Sequence, residues 1–429
     1  MTPSGWKKGR LGENCSIEIG GTPSRDVAEY WDDAKETSNL WVSIKDLNQR
    51  IITETAEHIS DLGIRHSNVK LQGPGTVLLS FKLTIGRVAV AGCPLYTNEA
   101  IAGLRSSKIA QEFLYHGLQH WNLLKGVDQA IKGATLNKEK LKRIECSFPD
   151  QHSEQVKIAE ILSTVDLAIE ETERLVAKHQ HIKAGLMQDL FTRGLDEHCN
   201  LRSENTHKFR ESPLGRIPEE WRFSKLECVG TWASGTTPSK ANPSYWGDEI
   251  PWVCPKDMKT FDIASTMERL TKLGAQRGSK LMPKKTVFIV VRGMILAHTF
   301  PVCISDRPMA FNQDVKGIIA NPGFNERFLA FWLASQAANF LKLATTATHG
   351  TKRFDIKELF DVIMPVPRHD EQTGIVVRLD AAEAPINYNR KVAAKLRSIK
   401  AGLMQDLLIG RRRVTRLLES EPKRERIYA

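Results

Sequence analysis

Three short segments of this chain carry residue types that could do chemistry. Asn242-Pro243-Ser244-Tyr245 approaches the Asn/Asp-Pro-Pro-Tyr/Phe loop with which amino-methyltransferases hold a flipped base and accept hydrogen bonds from its exocyclic amine. Ser244 stands where the second proline belongs, the counterpart in the other half of the chain is Val27-Ala28-Glu29-Tyr30, and no glycine-rich loop for a methyl donor lies upstream. The segment therefore reads as a turn. Gly350-Thr351-Lys352 lacks the glycine spacing of a phosphate-binding loop, which argues against an ATP-driven motor. His116 and His120 stand at i, i+4 spacing without acidic or cysteine partners, and read as surface or core histidines rather than metal ligands. The chain reads as non-catalytic, with no cofactor and no metal of its own.

The elements that would position any site come from a duplication. Ile182-Lys183-Ala184-Gly185-Leu186-Met187-Gln188-Asp189-Leu190 returns unchanged as Ile399 to Leu407, 217 residues later. Trp6 and Leu11 match Trp221 and Leu226 at an offset of 215, as do Gly20-Gly21-Thr22-Pro23-Ser24 with Gly235-Thr236-Thr237-Pro238-Ser239 and Tyr30-Trp31 with Tyr245-Trp246. The offset is 211 for Trp41, Lys45 and Asp46 against Trp252, Lys256 and Asp257, then 210 for Thr76–Leu79 against Thr286–Ile289. It is 214 at Asn98/Asn312 and stays at 217 from Gln155/Gln372 onward. A drifting offset marks loops that accept insertions. A constant one marks an element that tolerates no change of length.

The constant part reads as a long helix in each half. Ser153 suits an N-cap, and an apolar seam follows at heptad-like steps through Ile158, Leu162, Val165 and Ile169 to Leu186 and Leu190. The second copy has Asp370 at the cap position, then Ile375, Leu379, Ile386, Leu396, Leu403 and Leu407. Each helix would run roughly 36 residues, about 54 Å, and the two seams are expected to pack on each other. Pro385 should kink or break the second helix. The drifting parts carry short strand-like runs, Thr76–Phe81 and Val287–Val291, with helical patches at Glu112–Leu124 and Asn325–Leu343. Ser212 to Pro218 reads as an extended linker.

Composition narrows the class of partner. At 429 residues two or more domains are expected. No stretch approaches the roughly 20 apolar residues of a membrane span, and the N-terminus lacks the apolar core of a secretion signal. Seven scattered cysteines without a Cys-x-x-Cys pair point to a reducing cytoplasm. A net charge of +11 favours a polyanionic partner, most simply nucleic acid. Part of that charge lies in the tail, Arg411-Arg412-Arg413 and Lys423-Arg424-Glu425-Arg426.

The ordered motifs carry a family resemblance over nearly the whole chain. The lead-in Ser212-Pro-Leu-Gly-Arg-Ile-Pro-Glu-Glu-Trp221, the Gly-x-Thr-Pro-Ser and Trp-Val-x-x-Lys-Asp elements, the Glu-Gln pair opening each long helix, and the two Gly-Leu-Met-Gln-Asp-Leu helix ends resemble the specificity subunits of type I restriction–modification systems. The resemblance implies an α+β chain with a pseudo-two-fold internal repeat. Two similar target recognition domains would be joined by two long antiparallel, coiled-coil-like helices. The expected divisions are 1–150 and 212–367 for the recognition domains, 151–195 and 368–408 for the helices, 196–211 for a linker and 409–429 for a basic tail.

It also implies the partners: double-stranded DNA, two methyltransferase subunits and, in a restricting complex, two ATP-dependent restriction subunits. S-adenosylmethionine, ATP and Mg²⁺ would belong to those subunits. Candidate DNA contacts are Ser24, Arg25, Lys45, Lys82 and Arg87 in the first domain, and Ser239, Lys240, Lys256, Arg292, Lys352 and Arg353 in the second. Positions retained in both halves (Thr22/Thr237, Pro23/Pro238, Lys45/Lys256, Asp46/Asp257) are expected to maintain loop architecture, Lys45 and Lys256 being suited also to phosphate, which carries no sequence information, and differing positions are expected to read bases. The seam residues are the candidate helix and partner interface. Competing readings are a catalytic DNA adenine methyltransferase, which needs the missing cofactor loop, and a helical scaffold without sequence readout.

Overall fold

Val77–Ser80 and Val287–Val290 are fully buried runs, and each becomes the middle strand of a five-stranded sheet. The computed structural model describes residues 3–123, 136–213, 215–346 and 351–420. Leu124, Leu214, Gly350 and the basic run Lys423–Arg426 lie outside them.

The first five-stranded sheet has the spatial order Ser16–Ile19, Ile101–Arg105, Val77–Ser80, Val88–Ala91, Ile51–Ile52. The second has Gly230–Ser234, Val315–Ala320, Val287–Val290, Val302–Ser305, Asp262–Ile263. In both, the last pair is parallel and the others antiparallel. Each half adds a four-stranded sheet around Leu40–Val42 or Trp246–Val253, and a two-stranded pair, Trp6–Arg10 with Glu145–Pro149 or Arg222–Lys225 with Ile363–Val366. The duplication is therefore one of topology and register: Leu78 faces Gly103 as Phe288 faces Gly317.

Helices complete each half. α1 (Gln111–His120) buries Phe113, Leu114 and Leu118, and the long α2 (His152–Thr192) follows it. α3 (Glu326–Ser335) buries Phe328, Phe331 and Trp332, and the long α4 (His369–Leu407) follows that. α2 has 41 residues and α4 has 39, both longer than the apolar spacing indicates. Both begin one residue before the expected caps, so Ser153 and Asp370 lie in the first turn. α4 continues through Pro385, which therefore does not break it. Ser212 to Pro218 is not a plain extended linker either: Phe209–Arg210 pairs with Ile217–Pro218 across a turn closed by Ser212 Oγ donating to the Gly215 carbonyl at 2.6 Å.

The chain divides into two compact units that do not follow its order. One contains residues 1–173 and 391–429, the other 174–390, so each takes one end of both long helices. This corrects the simple picture of two seams facing only each other. Ile158 and Leu162 of α2 and Leu407 of α4 belong to the core of the first unit, together with Phe113 and Phe148. Leu190 of α2 and Ile375 and Leu379 of α4 belong to the core of the second, together with Phe328 and Phe331. The outer turns are domain core because a sheet-and-helix globule offers more apolar area than one facing helix does. Ile386 is also buried, whereas Val165, Ile169, Leu186, Leu396 and Leu403 are half-buried.

The Glu-Gln pair explains how each helix start is held. Gln372 accepts from the Asn325 amide at 2.8 Å, at the start of α3, and donates to the carbonyls of Pro367 and Gly323. Gln155 does the same with the Ala110 amide, Pro149 and Lys108 at the start of α1. Glu371 is buried and receives Arg202 at 2.5 Å, the Leu195 amide at 2.9 Å and the Trp221 indole at 3.1 Å. Gly194, at φ +63° just past the end of α2, makes this approach possible, since a Cβ there would lie 2.2 Å from Glu371. In the first unit Glu154 is buried against Arg413 at 2.6 Å, and Gly410, at φ +72°, passes over Trp6.

His116 is fully buried, its Nε2 3.1 Å from Ser163 Oγ and its Nδ1 3.9 Å from Asp166. Burial, and then Lys400 and Arg50 nearby, push its pKa from 6.5 down to about 3. Between those values the unfolded chain binds a proton that the folded chain does not. The stabilisation from neutral His116 is thus complete above pH 6.5 and declines as the pH falls below it. His116→Gln is expected to shrink the drop in thermal midpoint between pH 7 and pH 5; an undiminished drop would refute this role. Glu371→Ala leaves the buried Arg202 with only the exposed carboxylate of Glu220, 3.4 Å away, and should destabilise the second unit by about 3 kcal/mol in denaturant titrations. A variant as stable as the parent would show that the pair contributes little.

Candidate nucleic-acid interface

Four loops converge at one end of each five-stranded sheet, tied by backbone hydrogen bonds. In the first unit the Gly21 amide donates to Thr97, Asn98 to Val42, and Phe81 to Ala100, at 2.8–3.0 Å. These bonds gather the Gly-x-Thr-Pro-Ser loop, the loop carrying Lys45, the Phe81–Arg87 hairpin tip and the Asn98-Glu99 turn. Gly20 is required because a Cβ would stand 2.0 Å from the Thr97 carbonyl. In the second unit Thr236 donates to Phe311, Asn312 to Val253, Val291 to Asp314 and Gly293 to Lys352. The last bond and an Arg292–Arg353 bridge bring three candidate cations together, Arg292, Lys352 and Arg353.

The retained positions build these loops. Asp46 accepts from the Ser43 amide, the Ser43 hydroxyl and the Ala56 amide. Asp257 accepts from the Cys254 amide, the Cys254 thiol and the Met267 amide. Burial, with Asp257 beside it, pushes the Cys254 thiol up to about 11. Trp41 and Trp252 donate through their indole nitrogens to the carbonyls of Gly21 and Thr236. The Asn242-Pro243-Ser244-Tyr245 segment is a short turn in which Asn242 Oδ1 accepts from the Ser244 amide and hydroxyl, and Ala28–Tyr30 takes the same place in the first unit.

The cations divide into two groups. Arg25 lies 3.5 Å above the Trp31 ring and pairs with Glu57; Lys240 lies 3.4 Å above the Trp246 ring and pairs with Glu268. Their charges are already held by carboxylates, so these two candidates brace the loop as well as face solvent. Ser24 and Ser239 have exposed side chains and use their carbonyls to accept from Trp31 and Trp246. Arg87 donates to the Ile44 carbonyl at 3.2 Å. Lys45, Lys256, Arg292 and Arg353 are exposed, Lys82 and Lys352 half-exposed, and no carboxylate pairs with them among the described residues.

The hairpin tip accounts for one jump in the repeat offset. Val77 and Val287 differ by 210 and Val88 and Val302 by 214, so the second tip is longer by four residues. Sequence reasoning did not single out Glu99 and Gln313, which the structure places among these loops. Thr22 donates its hydroxyl to Glu99, and Thr237 donates to Gln313 Oε1 at 2.6 Å. The signal was available: these residues follow Asn98 and Asn312 directly, and they differ between the halves.

Residues 3–178 and 218–397, together well over half of the chain, match the type I restriction modification DNA specificity domain. The chain belongs to the type I restriction–modification specificity family. Each match takes one recognition domain and most of the helix after it. The specificity subunit of the type I restriction enzyme EcoR124I/EcoR124II from Escherichia coli is 30% identical over 198 residues, 46% of this chain and 49% of that relative. The putative type I restriction enzyme MjaX specificity subunit from Methanocaldococcus jannaschii is 25% identical over 388 residues, 86% of this chain and 83% of the relative. The chain thus spans about half the length of the first and most of the second. Among solved structures, the type I S subunit from M. genitalium aligns with a TM-score of 0.58 at 13% identity, over 94% of this chain and 96% of that one. A chain from a type I R-M system assembly aligns at 0.52 and 16%, over 95% and 98%. These two likenesses show a shared fold.

For a DNA-binding member of this family the two groups of cations should behave differently. Lys45→Ala and Lys256→Ala are each expected to reduce the slope of log affinity against log salt by about 0.9, as loss of one phosphate contact does. Lys240→Ala should change it clearly less, because Glu268 already holds that charge. Equal effects from all three, measured by DNA-binding titrations at several salt concentrations, would remove the distinction.

Proposed function

We propose that this chain is the DNA-reading, non-catalytic subunit of a type I restriction–modification complex, each recognition domain reading one half of a bipartite, asymmetric site. The long helices set the spacing between the half-sites and dock two methyltransferase subunits. Those partners supply S-adenosylmethionine and the methyl transfer, and ATP-dependent restriction subunits with Mg²⁺ join where the complex cleaves. The single observation that carries the reading is the repeat itself. Two sheet systems share topology and register, yet their exposed loops differ in length and residue type. Two identical readers would specify a palindrome, whereas two related but unlike readers suit an asymmetric site.

The docking reading rests on the duplicated nonamer. Its Leu186, Met187 and Leu190, and Leu403, Met404 and Leu407, pack on the cores of their units. The other side is exposed in both copies: Ile182 is 53% and Ile399 43% accessible, and a Cβ on Gly185 or Gly402 would meet nothing within 4 Å. Internal packing does not account for identity on an open face. Two copies of one partner, each seated on the same nine residues, do.

Co-expression with methyltransferase subunits, followed by mapping of methylated adenines in the host genome, tests the whole reading; a single-part or palindromic motif would defeat it. Gly185→Trp and Gly402→Trp fill open space and leave the fold intact, so each is expected to lose one methyltransferase copy by native mass spectrometry and the pair to lose both. Full assembly of the double variant would refute docking at the nonamer. Inserting four residues in each long helix adds about 6 Å, nearly two base pairs at 3.4 Å each. The mapped gap should lengthen with both half-sites unchanged, and an unaltered gap would rule out the spacer role.

A further inference from the structure

We propose that Glu99 and Gln313 are specificity-determining residues, one in each domain, and that their difference makes the two half-sites read different bases. The inference rests on the two-domain reading above and goes beyond it by naming a reader and its chemistry.

The two residues occupy the same place in the repeat. Each follows an asparagine whose side chain closes the turn, Asn98 Oδ1 accepting from the Ala100 amide and Asn312 Oδ1 from the Asp314 amide. Each side chain is exposed, and each is steered by the threonine of the Gly-x-Thr-Pro-Ser loop. The loops tied to these turns carry cations suited to phosphate: Lys45, Lys82 and Arg87 in the first unit, and Lys256, Arg292 and Lys352 in the second. The scaffold is held in common while the group it presents changes from carboxylate to carboxamide.

That change alters what can be recognised. A carboxylate only accepts hydrogen bonds, and phosphates repel it. With one lone pair engaged by Thr22, Glu99 is suited to a base edge that offers a donor, the N4 amine of cytosine above all. It is unsuited to guanine, whose major-groove edge presents acceptors. Gln313 is oriented differently. With the Thr237 hydroxyl donating to its Oε1, the amide presents Nε2 as a free donor and Oε1 keeps one further lone pair. A donor and an acceptor side by side match the N7 and N6 of adenine.

The exchange Glu99→Gln and Gln313→Glu, made singly in the full chain assembled with its methyltransferase subunits, tests this. Methylated-adenine mapping first defines the wild-type motif. Duplexes carrying every single-base change of that motif are then titrated with each complex. Glu99→Gln is expected to change the preferred base at one position of one half-site, by about 5- to 150-fold, and to leave the other half-site untouched. Gln313→Glu should do the reverse. Glu99→Ala, which removes the group without replacing it, should relax that one position rather than switch it. Unaltered base preference in the exchanged variants, or uniformly weaker binding to every duplex, would overturn the proposal and leave the threonine contacts with a structural role alone. A wild-type complex without a bipartite motif would overturn the two-domain reading itself, an outcome separate from failure of the exchange.

Discussion

A buried carboxylate at the first turn of each long helix organises this protein. Glu371 lies at the start of α4, and the chain leaving α2 delivers Arg202 to it; Glu154 lies at the start of α2, and the chain leaving α4 delivers Arg413. A charge removed from water is tolerable only with its partner in place. The start of one helix therefore cannot settle without the end of the other. The adjacent Gln155 and Gln372 tie the same turns to the starts of α1 and α3, so the recognition domain is fixed to both helices at one point.

That constraint explains the one part of the repeat that never changes length. Lys400 pairs with Asp166 at 2.7 Å, and Lys183 pairs with Glu383. The four residues are two repeat-related pairs, each separated by 217, and each bond joins one helix to the other within a unit. A residue gained or lost between Glu154 and Asp166 would rotate Asp166 about 100° on the helix, away from Lys400. The loops at the far end of the sheets have no such link to satisfy. They have drifted in length, as the Phe81–Arg87 and Val291–Pro301 tips show, and they hold the residues suited to touch DNA.

The loops separate bracing groups from exposed, unbraced ones at the level of single residues. Asp46 and Asp257 spend their lone pairs on neighbouring amides, and Arg25 and Lys240 lie on tryptophan rings against glutamates. Their counterparts match across the halves because the job is geometric. Free cations such as Lys256 and Arg292 are, on the proposed reading, suited to the attraction that does not depend on sequence. On the same proposal, discrimination falls to the few exposed groups that the common frame holds but does not specify.

Much was legible in the chain alone. The nonamer, the matched Gly-x-Thr-Pro-Ser and Trp-Val-x-x-Lys-Asp elements and the changing offset gave the duplication, the long helices and the family, because these depend on local periodicity and on residues required at close approaches. Three things were not. Pro385 is accommodated inside α4, although local rules make proline a break. The seam residues divide between two domain cores, because apolar periodicity states that a face is buried but not against what. The compact units interleave the chain, since residues far apart in sequence, such as Glu154 and Arg413, meet only once the helices have folded back. The sequence by itself determined what is repeated and what is rigid. Only the tertiary structure decided which ends meet and which side chains the loops present, because buried charge pairs and loop convergence are long-range contacts that no local pattern encodes.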